Sequence, residues 1–124
     1  MSREQSPDQI LSDMGKCKLT KARSHARNLT RLYDKYLSPY DIRSTELSVL
    51  AVTGKLESAR LHEIAEKLSM DLSSLSRTIG LLEKKGWIKI EKQGHRTRRA
   101  SLTKKGVKKL QDSYTGWKKA QQEV

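Results

Sequence analysis

The 124-residue chain has no phenylalanine, two prolines, one cysteine and only 35% apolar residues. That apolar share is low for a freestanding domain of this length, since average domains run near half apolar. The sequence therefore leaves room for a second subunit to complete the core, or for part of the chain to stay exposed. Cys17 stands alone, so an internal disulfide is excluded and a reducing, cytoplasmic setting fits. No run approaches the ~18 apolar residues of a membrane span. The first eight residues are polar and of mixed charge, unlike a secretory leader.

Cations are abundant: 26 Lys and Arg face 14 Asp and Glu, a formal charge of +12. The excess is concentrated. Residues 1–83 hold 13 basic and 11 acidic side chains, whereas residues 84–119 hold 13 basic ones against Glu91 and Asp112 alone. A solvated lysine face would explain a modest surplus. A surplus this dense repels itself unless a polyanion neutralises it, which points to nucleic acid.

Apolar periodicity predicts one long helix over 8–37, ended by Ser38-Pro39. Ser44 is placed to cap a second helix that stops at Gly54. A third runs from Arg60 to Leu68 and a fourth over 72–85, capped by Asp71, burying Leu72, Leu75, Ile79 and Leu82, and stopped by Gly86. The period then changes to two at Trp87–Glu91, a strand, followed by a turn at 92–96 and a returning strand from Arg98 to Leu102. Thr103 caps a last helix carrying Val107, Leu110, Tyr114 and Trp117.

Two short helices joined by a tight turn make a helix-turn-helix over 60–85, whose second helix presents Ser73, Ser74, Ser76 and Arg77 outward. Short hydroxyls let a backbone approach phosphates and base edges, and an arginine can chelate guanine. The hairpin after it, Lys92–Arg99, holds four Lys and Arg residues together with His95, the dress of a wing that enters a minor groove. Lys84, Lys92, His95, Arg96, Arg98 and Arg99 are the candidate wing and flanking contacts.

Leu61-His62-Glu63-Ile64-Ala65-Glu66-Lys67-Leu68, Met70 to Arg77, Leu82-Glu83-Lys84-Lys85-Gly86-Trp87-Ile88 and Leu102-Thr103-Lys104-Lys105-Gly106 together resemble the winged helix-turn-helix of the MarR family of transcriptional regulators. The resemblance spans about residues 20–124 and implies a mainly α fold, α-α-α-α-β-β-α, with long terminal helices forming a helical dimerisation region. In that arrangement 1–37 and 103–124 are dimerisation helices around a DNA-binding unit at 38–102, all in one intertwined domain. It implies a homodimeric repressor on palindromic double-stranded DNA, with a small aromatic effector whose residues the sequence does not identify. Ile10, Leu11, Met14, Cys17, Leu110, Tyr114 and Trp117 are the candidate interface. Two departures stand out: Gly94 replaces the aspartate of the family's Asp-x-Arg-x-x-Arg wing pattern, whose arginines fall on Arg96 and Arg99, and Arg43 replaces a capping threonine. One branch of the family senses peroxide through a first-helix cysteine. That position registers on Leu19, so Cys17 reads as a buried structural thiol.

The histidines His25, His62 and His95 lie on different elements without ligand-spaced neighbours, so no metal or cofactor is expected. Neither a phosphate-cradling glycine loop nor a nucleophile-base arrangement is legible, which argues against an enzyme. Three rivals remain: an architectural DNA-coating protein of the same fold, an RNA-binding module, and an adaptor for an acidic protein. The RNA reading lacks a stacking surface, since none of the six aromatics falls in the wing.

Overall fold

The computed structural model describes residues 4–93 and 97–124. Its order is α1 (Pro7–Met14), α2 (Lys18–Leu37), a 3-10 turn (Ser38–Tyr40), α3 (Ser44–Leu56), β1 (Ala59–Arg60), α4 (Leu61–Leu68), α5 (Leu72–Lys84), β2 (Ile88–Gln93), β3 (Thr97–Leu102) and α6 (Lys104–Glu123). A mainly helical winged helix-turn-helix is what these elements form, as the sequence predicted. The single helix expected over 8–37 is two helices. Lys16 and Cys17 donate to the carbonyls of Asp13 and Met14, three residues back, and Cys17 then leaves helical geometry with ψ 116.

The core lies beneath α5. Leu37, Val49, Leu50, Ile64, Leu75, Ile79, Leu82, Ile88 and Ala100 are all but fully buried in one cluster, and burial of this apolar area is the main force closing the fold. Three strands pair antiparallel in the order β1-β3-β2. The two-residue β1 was not legible in the sequence because it exists only through pairing, Ala59 with Ala100 and Arg60 with Arg99. The β2–β3 ladder runs from Ile88 opposite Leu102 out to Gln93 opposite Thr97.

Ser44 is not the cap of α3 but its first residue, with Arg43 in the N-cap position. The orphan amides there are met from elsewhere. Glu46 Oε1 accepts from the Arg43 amide at 2.9 Å, and Asp34 Oδ1 on α2 accepts from the Ser44 amide at 2.7 Å. The departure at Arg43 is thus compensated by two carboxylates. Gly86, at φ +81, ends α5 as predicted.

Helix α6 returns along α2 on small residues. Ser113, Gly116 and Ala120 are its buried positions with Gly106. A Cβ at Gly116 would lie 2.4 Å from the Tyr36 carbonyl oxygen, so only glycine permits this approach. Tyr33 and Tyr36 on α2 donate hydrogen bonds to Gln121 and Glu123 at its far end. The Glu123 carboxylate accepting that bond pushes the Tyr36 phenol above its ordinary range. Among the described residues no helix is long and apolar enough to cross a membrane.

Candidate nucleic-acid interface

The tight turn between α4 and α5 is made by Ser69 in the left-handed region (φ 53), after which the Met70 amide donates back to Ala65. Asp71 then starts α5 as its N-cap. Its Oδ1 accepts from the Ser74 amide and its Oδ2 from the Ser74 hydroxyl, each at 2.8 Å. Arg77, one turn on, donates from Nη2 to Ser74 Oγ at 3.3 Å. Asp71, Ser74 and Arg77 therefore form one exposed chain of contacts at the start of the helix. The Ser74 amide, its hydroxyl and then the Arg77 charge hold the Asp71 carboxyl below its usual range.

Ser73 and Arg77 are exposed, and Ser74 and Ser76 are half-buried. The four predicted reading residues thus share the accessible end of α5. Leu72 corrects the expectation of burial: it is 52% exposed, because the first position of α5 extends past the cover that shields Leu75 and Ile79. It adds an apolar contact surface beside Ser73, suited to a thymine methyl. Helical spacing alone assigns it to the core.

On the hairpin, Lys92 opposes Arg98 and Glu91 opposes Arg99. With a period of two, Lys92 and Arg98 continue the strand faces that carry Ile88, Ile90 and Ala100, beyond the end of the core. Both are exposed. Arg99 lies on the opposite face and donates from Nη1 to the Ser58 carbonyl at 2.9 Å, strapping the wing to the loop before β1. His95 and Arg96 lie outside the described residues. Lys84 is exposed at the far end of α5, about 16 Å along the helix from Ser73. The structure therefore groups Ser73, Ser74, Ser76 and Arg77, sets Lys92 and Arg98 on a common strand face, and separates Arg99 and Lys84 from both.

Of the candidate interface residues, Leu11, Met14 and Tyr114 are well exposed, while Ile10 and Trp117 are 38% and 37% exposed. Tyr114 and Trp117 stack with ring centroids 5.8 Å apart. Leu110 is half-buried against the core. Cys17 is half-exposed rather than buried within the chain, and it occupies the N-cap position of α2. The Thr20 side chain, with the amides of Thr20 and Leu19, lowers its thiol below the ordinary value. Leu29, Tyr33, Leu47, Ala51, Met70 and Trp117 line a cavity of about 530 Å³ between α2, α3 and α6. No three or more His, Cys, Asp or Glu side chains gather into a metal site among the described residues.

Residues 42–93, from the end of the 3-10 turn to the outer end of β2, match the MarR family. Over that segment the chain resembles MarR-family regulators. The matched segment contains α3, α4, α5 and β2. An uncharacterized HTH-type transcriptional regulator of Bacillus cereus is 30% identical over 81 residues, covering 65% of this chain and 54% of that protein. A similar regulator of Bacillus anthracis is 28% identical over the same shares. The chain spans about half the length of these curated relatives. Among solved structures, the M. tuberculosis transcriptional regulator MosR in complex with DNA superposes with a TM-score of 0.81 at 29% identity, covering 88% of this chain and 80% of MosR. An E. coli MarR variant complexed with operator DNA gives a TM-score of 0.79 at 22% identity, covering 96% and 84%, a likeness of fold.

Proposed function

We propose that the protein is a sequence-specific regulator of transcription that binds double-stranded DNA as a homodimer and represses. The observation that carries this reading is the Asp71–Ser74–Arg77 chain, which orients a guanidinium at the exposed start of α5. An arginine held there can chelate a guanine edge, while Ser73, Ser76 and Leu72 meet neighbouring bases. Lys92 and Arg98 extend along the wing to neutralise phosphates or enter the adjacent minor groove, and Lys84, His95, Arg96 and Arg99 are further candidate contacts. The similar MosR regulator, bound to DNA in its structure, supports this assignment.

A second copy would cover Ile10, Leu11, Met14, Cys17, Leu110, Tyr114 and Trp117, joining the segments 1–37 and 103–124 of two chains around the unit at 38–102. The exposure of most of those apolar side chains, on helices with little else to cover them, is the support for this part. The cavity between α2, α3 and α6 would receive a small aromatic effector, since Tyr33, Leu47 and Trp117 offer it apolar walls.

Selection of duplexes from a random pool at physiological salt tests the reading. A two-fold symmetric preferred site is expected, with half-sites about one helical turn or a multiple apart. Equal affinity for bulk DNA would instead favour the architectural role, and absence of any complex would refute both.

A further inference from the structure

The hairpin accounts for only part of the charge excess. Of the thirteen cations in 84–119, five fall within residues 88–102, and eight are lysines outside it. Several of these meet at the base of the wing. The Thr103 amide donates to the Trp87 carbonyl at 3.1 Å and its hydroxyl to the Gly86 carbonyl at 2.5 Å, seating the first turn of α6 on the loop that follows α5. The seat is tight: a Cβ at Gly106 would lie 2.1 Å from the Trp87 oxygen. Lys105 packs beside Gly86, its Nζ 3.9 Å from where a Cβ would stand. Lys85 and Lys109 place their ammonium groups 4.8 and 5.0 Å from the Trp87 ring centroid.

The five lysines of this cluster divide by role. Lys85 is paired with Glu46 at 2.8 Å, and Lys109 donates to the Tyr40 carbonyl at 2.8 Å, so both have structural duties. Lys104, Lys105 and Lys108 are exposed. Lys108 meets Asp112 at 3.5 Å, and Glu83 is the other exposed acid near the loop. Helix electrostatics does not explain Lys104 and Lys105. They occupy the first turn of a 20-residue helix with no acidic residue there, where the macrodipole opposes cations and favours anions. The placement of these two lysines is therefore not accounted for by the helix itself, as is common at functional sites.

The cluster is remote from the reading end. The ladder from Ile88–Leu102 to Gln93–Thr97 is about 17 Å long, and α5 is about 18 Å from end to end. The cluster thus lies at the opposite end of both elements from Lys92, Arg98 and Ser73. The chemistry of the cluster selects its partner class. It is all lysine, without the arginine fork that reads fixed geometry, and its aromatic ring is 9% exposed and already covered. Protein interfaces place apolar and aromatic groups at their centre and are poor in lysine, whereas faces that bind nucleic acid are polar and cationic.

We propose that Lys104, Lys105 and Lys108 form a second, sequence-indifferent phosphate-binding surface that holds a separate duplex, so that the protein bridges two double strands. This inference rests on the DNA-binding reading above. The test immobilises the preferred duplex, saturates it with the full chain, and measures capture of a labelled free duplex of unrelated sequence. The variant is K104E/K105E. Glutamates in the first turn favour the helix, so the melting temperature holds or rises and lost capture cannot be ascribed to unfolding. Capture should fall at least about tenfold and its salt slope by about two units. Affinity for the immobilised duplex should stay within about twofold, since its phosphate contacts are unchanged.

Capture unchanged in the variant overturns the proposal, as does wild-type protein that coats the first duplex and never takes a second. Parallel loss of affinity for the first duplex overturns it too, because the lysines would then belong to the primary contact. Binding of polyglutamate through these lysines without capture of a duplex would assign the surface to an acidic protein instead. Failure of the DNA reading itself is distinguishable: the immobilised strand stays bare.

Discussion

Replacing Ser74 with alanine separates the fold of the reading helix from the aim of its arginine. The Ser74 amide still donates to Asp71 Oδ1, so the N-cap survives, and alanine is the better helix former. Stability should therefore move by no more than about 0.5 kcal/mol. What is lost is the hydroxyl that accepts from Arg77 at 3.3 Å and donates to Asp71 Oδ2. That arginine contact is long and exposed, so its net worth lies at the low end of the range for hydrogen bonds, about 0.5–1 kcal/mol. Arginine carries about 2 kcal/mol of rotamer entropy, and the tether removes part of it before DNA arrives. Ser74→Ala should thus lower discrimination at the base pair read by Arg77 about two- to fivefold, against a loss of about 1–3 kcal/mol for Arg77→Ala. Competition binding with the preferred duplex and single-base variants of it measures both. The salt slope of Ser74→Ala should match wild type, because no charge is removed. A double-mutant cycle decides the matter: coupling of about 0.5–1 kcal/mol is expected. Strict additivity would mean that Ser74 does not aim Arg77, and the pre-organised reading end would be refuted.

At Glu46, one oxygen caps α3 and the other meets Lys85 beside the loop after α5. Glu46→Gln retains an acceptor for the Arg43 amide and should cost about 1 kcal/mol, whereas Glu46→Ala also orphans that amide and should cost about 2–3 kcal/mol by urea denaturation. Equal losses would show that the ion pair, not the cap, is the main contribution. Asp71 supplies a pH test. Its folded carboxyl titrates below its unfolded value, so its contribution is present above the unfolded value and lost as pH falls through the folded one. The stability difference between wild type and Asp71→Asn should accordingly vanish in acid, and a difference that grew on acidification would contradict the assigned contacts.

The helix-helix-wing core was legible because its signals are local. Asp71 and Thr103 accept from Ser74 and Gly106, three residues on, Gly86 takes the positive φ its position demands, and Leu75, Ile79 and Leu82 bury at helical intervals. What escaped the sequence is non-local. The cap on Ser44 comes from Asp34, ten residues earlier on another helix, and β1 exists only against Ala100 and Arg99. The seam between α2 and α6 is not legible for a different reason: the helices touch through the small residues Ser113, Gly116 and Ala120, which carry no apolar periodicity. Helical spacing places Ser73, Ser74, Ser76 and Arg77 together near the start of α5, and the structure has them there. Their hydrogen-bonded order is not legible, because spacing places Ser74 and Arg77 on one face without saying which atoms meet. Summing charge over 84–119 likewise merged the hairpin cations with lysines at the opposite end of the wing.

The seam of small residues has a consequence for the terminal helices. Because α6 approaches α2 through glycine and serine, its large side chains Tyr114 and Trp117 lie beside that seam and remain partly exposed. Helix α1 is only eight residues long and buries none of them. Isolated helices of that length are marginal in water even with a good cap, and Ser6 supplies one through the Gln9 amide at 3.2 Å. Its order therefore depends on being covered. If a second copy covers it, helicity from α1 is linked to chain concentration, and dilution should melt it before the core gives way. Hydrogen exchange over residues 7–14 should then become fast on dilution while amides around Leu75 and Ile79 stay protected, and Leu11→Lys with Met14→Lys should produce the same pattern at high concentration. Protection of α1 that is independent of concentration and survives those substitutions would exclude a second copy as its cover.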